Sequence, residues 1–377
     1  MTIRNSFTLL LLLLICFESC FPQNKPQSKT NEDGIRIASM ADVGIDSNVI
    51  NRIDTAIQNG TYPNIHSLLI ARHNMLVYEK YWAGKDESWG SDRGVVMHSK
   101  DDLHDIRSIS KSIVSACIGI AMHQGKIKSV DQKVFDFFPE YASLDTGIKS
   151  LLTIKHLLTM SSGLSWNEDV PYDNPENSEI RMIRSGNPVE YVLSQSMDFP
   201  PGKVWKYNGG TTQLLAAIIE KTTGKKVDQF ANEYLFQPLE IKRFEWVKYP
   251  GIDLPAAASG LRLRSRDLLK FGLLYSNGGV WRDKQVVPKD WVEQSFQSHV
   301  QRPQGGYYGY QFWLWKDTLN NKLTSIVACV GNGDQRIFID KTNDLLIVVT
   351  AGNYNKWTIK NNSGALLKNY LYPALRN

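Results

Sequence analysis

The chain has 377 residues, 42% of them hydrophobic, and a formal net charge of +5. That size and composition suit one large domain or two interlocked lobes and argue against disorder. Lysines and arginines are interspersed with acidic residues and no long run of like charges occurs, so nucleic-acid binding has no support.

The N-terminus, MTIRNSFTLLLLLLICFESCF, places Arg4 ahead of a short leucine-rich run, the build of an export signal over residues 1–19. The run is too short for a comfortable membrane span. Cys20 is a candidate lipid-bearing residue, although Phe17 and Glu18 fit a lipobox poorly. The expected location is therefore outside the cytoplasm, periplasmic or membrane-anchored through Cys20. Residues 20–40 are polar at first and are predicted to be a flexible tether to a domain over 41–377.

Next come IHSLLIA and MLVYEKYWA, two β-rich runs separated by Arg72, His73 and Asn74, which predicts a hairpin. Helical patterns follow in SKSIVSACIGIAMHQG, IKHLLTM, GGTTQLLAAIIEKTTG, VDQFANEYLF and SRDLLKFGLLYSNGG, several ending at glycine. TSIVACV, QRIFID and LLIVVT are three more strands joined by GNGD and KTND turns. The predicted fold is α/β of the α+β type: a mainly antiparallel sheet of five or more strands drawn from both ends of the chain. Helices flank it, with a sheet lobe from about 41–110 and 250–377 and an inserted helical lobe over about 111–249. A cleft between the lobes is the expected site. Cys117 and Cys329 sit in apolar stretches and read as buried free thiols. The seven histidines show no His-x-x-x-His spacing, so no metal is expected. Asp42, His104 and Asp105 have no spacing that ties them to a catalytic group.

Ser108-Ile109-Ser110-Lys111 opens the apolar run to Met122 and is the sole Ser-x-x-Lys. Such a tetrad arises by chance about once or twice in a chain of this length, so its setting matters more than the string. On a helix Ser108, Lys111, Ser112 and Ser115 share one face. A lysine in a mostly buried helix loses its proton more readily and can act as a base one turn from Ser108. The helix N-terminus offers N–H groups to an oxyanion. The bland alternative is a solvated first-turn lysine beside an N-cap serine. In FPPGKVWKYNGGTTQLLAAII, a Pro-Gly turn and an aromatic pair deliver Tyr207 to a loop before another helix. Its hydroxyl is a candidate proton shuttle, as phenol or phenolate, against the plainer role of anchoring the loop to the core.

With these motifs in hand, the chain resembles the serine β-lactamase and penicillin-binding-protein superfamily. The likeness is to the branch of class C β-lactamases, D-aminopeptidases, family VIII esterases and 6-aminohexanoate-dimer hydrolases. It covers about Asp42 to Leu371 and rests on RSISKSIVSACIGIA, IKHLLTMSSGLSW, the PPG and YNGG segment, ASGLRLRSRDLLKFGLLYSNGG and YYGYQFW. The resemblance implies a β-lactamase/transpeptidase-like fold in which Ser108 forms an acyl-enzyme, Lys111 deprotonates it and Tyr207 moves protons to and from the leaving group. It departs from the class C pattern at Tyr207-Asn208-Gly209, where Tyr-x-Asn is usual, leaving Asn208 as an uncertain substitute. The third motif, usually Lys-Thr-Gly, falls in VGNGDQRIF without a lysine. Asn332 and Gly333 match it loosely, and the Gln335 N–H is the expected partner of the Ser108 N–H in the oxyanion hole. Trp166, Tyr308 and Tyr310 are further candidates to line the pocket, with core packing as their alternative.

The expected activity is a serine esterase or amidase acting on a small-molecule ester, amide or β-lactam-like substrate, with no cofactor implied. The alternatives are a β-lactamase or D,D-peptidase-like enzyme, disfavoured by the missing third-motif cation, and a non-catalytic module that binds or senses cell-wall fragments.

Overall fold

The computed structural model describes residues 29–319, 322–356 and 362–376. The expected export signal and Cys20 lie outside the described residues. Among those residues, helix α1 (Ser47–Gln58) is followed by strands β1 (Ile65–Arg72), β2 (Met75–Tyr81), β3 (Ala83–Ser88), β4 (Ser91–Met97) and β5 (His104–Asp105). The helical lobe contributes α2 (Ser110–His123), α3 (Ile154–Leu158), α4 (Ser178–Arg184) and α5 (Gly209–Thr223). The chain then returns through β6 (Leu261–Leu263), α6 (Ser265–Ser276), β7 (Trp313–Leu319), β8 (Lys322–Gly331), β9 (Gln335–Asp340), β10 (Leu345–Ala351) and α7 (Asn362–Leu366).

Six of these strands form the centre of a ten-stranded sheet in the order β2-β1-β10-β9-β8-β7, every neighbouring pair antiparallel. Sheet and helices both occur where the sequence patterns put them. The β1–β2 hairpin closes through His73 and Asn74, both at positive φ, as a two-residue turn matched to strand twist requires. Residues 29–40 of the expected tether belong to the domain instead, and residues 20–28 lie outside the described residues. Residues 29–30 and 36–37 add strands to the sheet edge, Ile35 is buried, and Asp33 receives the guanidinium groups of Arg264 and Arg266 at 2.8 Å. An apolar side chain and a carboxylate with two buried-side arginine partners turn that stretch into part of the domain.

Alternation along the strands divides the core in two. Leu69 and Ala71 of β1, Ile337 and Ile339 of β9, and Leu346 and Val348 of β10 face the cluster that includes α2, α5 and α6. Their neighbours Leu68, Ile70, Phe338, Leu345 and Ile347 face the other way, onto α1 and the C-terminal turns. Helix α2 is buried along residues 110–121, which sets its N-terminus, with Ser108, at the end of the sheet. The Cys117 and Cys329 thiols are free and buried.

Candidate active site

Strand β5 pairs with β6 and delivers the chain to Arg107, whose φ of 49° is a left-handed conformation rare outside glycine. That bend turns the chain into a short 3₁₀ turn, Arg107–Ile109, and then into α2. Ser108 therefore sits half-buried at the tip of a helix. One turn on, Lys111 is buried, and its Nζ donates to Ser108 Oγ at 3.0 Å and to the carbonyl of Ala258 at 3.0 Å. The same Nζ lies 4.9 Å from the centre of the Tyr207 ring.

Tyr207 comes from the opposite lobe. Lys206 N donates to Met160 O at 2.8 Å, and Trp205 and Trp313 flank the phenol with ring centroids 6.3 and 5.8 Å away. Burial pushes its pKa well above the ordinary tyrosine value and the charge of Glu168 adds to this, while a hydrogen bond with Ser108 opposes it. Tyr207 is thus held as a phenol. The three groups singled out in the sequence meet at one point.

Behind Tyr207 lies a pair of buried carboxyl groups. Glu168 Oε2 accepts the N–H groups of Gly209 and Trp166 Nε1, and Tyr172 donates to Oε1 at 3.1 Å. Ser259 donates to Glu179 Oε1 at 2.8 Å. Burial and then the charge of Glu179 raise Glu168 to about 8, with Lys111 pulling the other way. Neither glutamate stood out in the sequence, because each lies in a polar stretch with no motif around it.

Ser108 opens onto two cavities of about 270 and 690 Å³. Glu87 and Trp89 wall the smaller, and Tyr172 stands between the two. The end of β8 and its turn, Val330 to Asp334, line the larger. A side chain at Gly331 would meet the carbonyl of Ile106 at 2.4 Å, so glycine lets this strand run against the segment that carries the serine. Asn332 and Gly333 lie on that wall as expected, with the Asn332 amide donating to Asn355 Oδ1 at 2.6 Å. Gln335, expected to offer its backbone N–H to the oxyanion, begins β9 just beyond this turn. Its side chain is buried under the turn, where its amide accepts Ala351 N at 3.2 Å and donates to Ala351 O.

Three other candidates point into the protein instead. Trp166 is fully buried on Glu168, Tyr308 packs edge-on against Trp205 and Trp313, and Asn208 caps α5 by accepting Thr211 N at 3.1 Å. Tyr310 stacks on His299 and packs on Trp291. Large aromatics gain more by leaving water than a cleft wall offers, and the asparagine satisfies helix N–H groups. The third-motif lysine is indeed absent, yet the larger cavity is not without positive charge. Arg302, Arg336 and Lys356 line it, Arg336 paired with Asp334 at 3.3 Å and Arg302 stacked 4.7 Å from the Trp313 ring centre. No spacing rule links Arg302 to the third motif, so nothing in its sequence context marks it.

A family model described as Beta-lactamase matches residues 62–361. The chain is 26% identical over 307 residues to a 6-aminohexanoate-dimer hydrolase of Paenarthrobacter ureafaciens, covering 75% of this chain and 71% of that protein. It is 25% identical over 182 residues to esterase EstB of Burkholderia gladioli, a match spanning 46% of this chain and 45% of the esterase. Among solved structures it resembles a penicillin binding protein from Bacillus halodurans, with a TM-score of 0.62 at 17% identity over 84% of this chain and 98% of that one. The fold, the family match and these relatives agree: the chain belongs to the Beta-lactamase family, as a serine hydrolase of the β-lactamase fold.

Proposed function

We propose that the chain is an esterase or amidase that works through an acyl group on Ser108. The observation that carries this reading is the 3.0 Å contact between Lys111 Nζ and Ser108 Oγ, with the Tyr207 ring centre 4.9 Å from the same amine. In the amine form, Lys111 takes the Ser108 proton as Oγ attacks the substrate carbonyl carbon, and the carbonyl π pair moves onto oxygen. The N–H groups at the tip of α2 face the developing oxyanion. Collapse expels the leaving alcohol or amine, which takes its proton from Tyr207, and the proton that Lys111 removed from Ser108 restores the phenol. Water then repeats the sequence on the acyl carbon and frees Ser108.

The aromatic wall of Trp205, Tyr207 and Trp313 suits an apolar acyl or leaving group, and Arg302 suits a negative one. Small esters and linear amides fit without a Lys-Thr-Gly motif, which places them ahead of β-lactams.

A chromogenic short-chain ester and a fluorophosphonate probe test the proposal together. Wild-type protein should hydrolyse the ester and gain one probe mass per chain. Ser108→Ala should do neither, and Lys111→Ala and Tyr207→Phe should each lose about 10²–10⁴-fold in kcat. Full activity in Ser108→Ala rejects the mechanism, and rapid nitrocefin turnover without ester turnover rejects the substrate class.

A further inference from the structure

Away from the serine, four buried side chains from four separate segments converge: His66 of β1, Asp86 of β3, His98 just after β4 and His104 of β5. Each brings one nitrogen or oxygen into a group whose members all lie within 4.8 Å of one another. His66 Nδ1 and His104 Nε2 are 2.8 Å apart, and Asp86 Oδ1 is 3.7 Å from His104 Nε2. The imidazoles of His66 and His98 stack with centroids 3.9 Å apart.

The outward-facing atoms of the set are already engaged. His104 Nδ1 lies 3.0 Å from the carbonyl oxygen of Asp105, which can only accept, so Nδ1 carries the proton and Nε2 keeps a free lone pair. His66 Nε2 lies 3.4 Å from Asn64 Oδ1. Arg93 Nη1 donates to Asp86 Oδ2 at 2.8 Å, leaving Oδ1 turned inward. Metal-bound imidazoles and carboxylates have this outer set of partners, which fix the tautomer and the ring plane. By contrast His98 Nε2 is buried with no hydrogen-bond partner, an uncompensated cost in a site without a ligand.

We propose that His66, Asp86, His98 and His104 form a closed site for one first-row divalent cation, zinc foremost. Three imidazole nitrogens and one carboxylate oxygen suit zinc at about 2.0–2.2 Å in tetrahedral array, and four protein ligands leave no open position, the mark of a structural ion. Ligands so placed stand roughly 3.3 Å apart, so the ion would separate His66 from His104 slightly and draw the outermost pair inward by up to about 1.5 Å.

The site joins three parts of the molecule. Asp86 and His98 belong to the β3–β4 hairpin, His66 to the central sheet, and His104 lies four residues before Ser108. The same hairpin supplies Glu87, paired with Arg107, and Trp89, whose N–H donates to Asp105 Oδ2 at 2.6 Å, both on the wall of the smaller cavity. A cation here would clip that wall to the segment carrying the serine.

The test uses tag-free full-length protein, stripped with chelator, dialysed, and then titrated with Zn²⁺ against a chromophoric chelator. We expect about one zinc per chain and, with zinc well above its dissociation constant, a melting temperature raised by about 3 °C or more. His98→Ala and Asp86→Asn should each weaken zinc binding by at least about tenfold. Co²⁺-loaded wild type should show the intense visible bands of tetrahedral cobalt, a readout that stands even if a variant fails to fold. No stoichiometric zinc uptake by wild type, uptake unchanged in His98→Ala, or a weak octahedral cobalt spectrum overturns the proposal.

Discussion

Glu168 shows how a single residue behind the reacting atoms sets a property of the whole chain. Its carboxyl is fully buried, has Glu179 beside it, and is raised to about 8 from an ordinary value of 4.5. A group whose pKa is raised on folding binds its proton more tightly in the native state. Between those two values the native protein therefore holds more protons than the unfolded chain, and stability falls as pH rises. The penalty is absent below the unfolded value and complete above about 8, where it reaches at most about 5 kcal/mol. Glu168→Gln preserves the shape and the acceptor oxygen for Gly209 N while removing the titration. Thermal melts from pH 5 to 8.5 should show wild type losing stability steadily and the variant losing clearly less. Parallel curves would mean that Glu168 ionises normally.

At the scale of elements, α2 carries both Ser108 and Lys111, so its placement matters more than its propensity. Gly119 lies where α2 meets the indole of Trp291. A Cβ there would stand 2.3 Å from Cγ of Trp291, an indole that is itself buried. Gly119→Ala gains up to about 1 kcal/mol of helix propensity but forces a rigid ring aside at a cost of roughly 1–3 kcal/mol. The expected net change is a loss of about 1 kcal/mol in urea unfolding together with reduced kcat, since the push moves α2 relative to Tyr207. A more stable variant with unchanged kcat would show that Trp291 yields freely. Helices and central strands of this kind were legible because each announces itself in a local apolar period, α2 and α5 as continuous runs and β8 to β10 as short ones between turns. The β3–β4 hairpin was not, since AGKDES and SDRGVVM are largely polar and exposed and pair only with each other. Ser108, Lys111 and Tyr207 were readable from motif and setting. For Trp166 and Tyr308 the alternative of core packing is what is seen, and Asn208 caps α5, because a residue type tells what a side chain can do and not which way it points. The histidine cluster was hidden for a further reason, its ligands being spread over four segments whose meeting depends on the sheet register.

For the whole molecule the sheet is the shared boundary of two cores, and this bears on how the protein unfolds. The helical lobe packs on Leu69, Ile337 and Val348, while α1 and the C-terminal turns pack on Leu68, Phe338 and Ile347, the alternate residues of the same strands. Neither layer can leave without exposing one face of β1, β9 and β10, so the inserted lobe should not melt by itself. Leu371 is a fitting probe, because it is 2% exposed in the core on the face away from the serine. Leu371→Ala removes buried methyl groups and leaves a cavity, at an expected cost of about 2–4 kcal/mol. Well below the transition its kcat and KM should match wild type, since Leu371 itself lines neither cavity at Ser108. On heating, far-ultraviolet circular dichroism and residual esterase activity should fall together, at one midpoint lowered equally in both signals. Activity that vanishes well before the helical signal in wild type would show that the lobes unfold separately and that the sheet does not couple them.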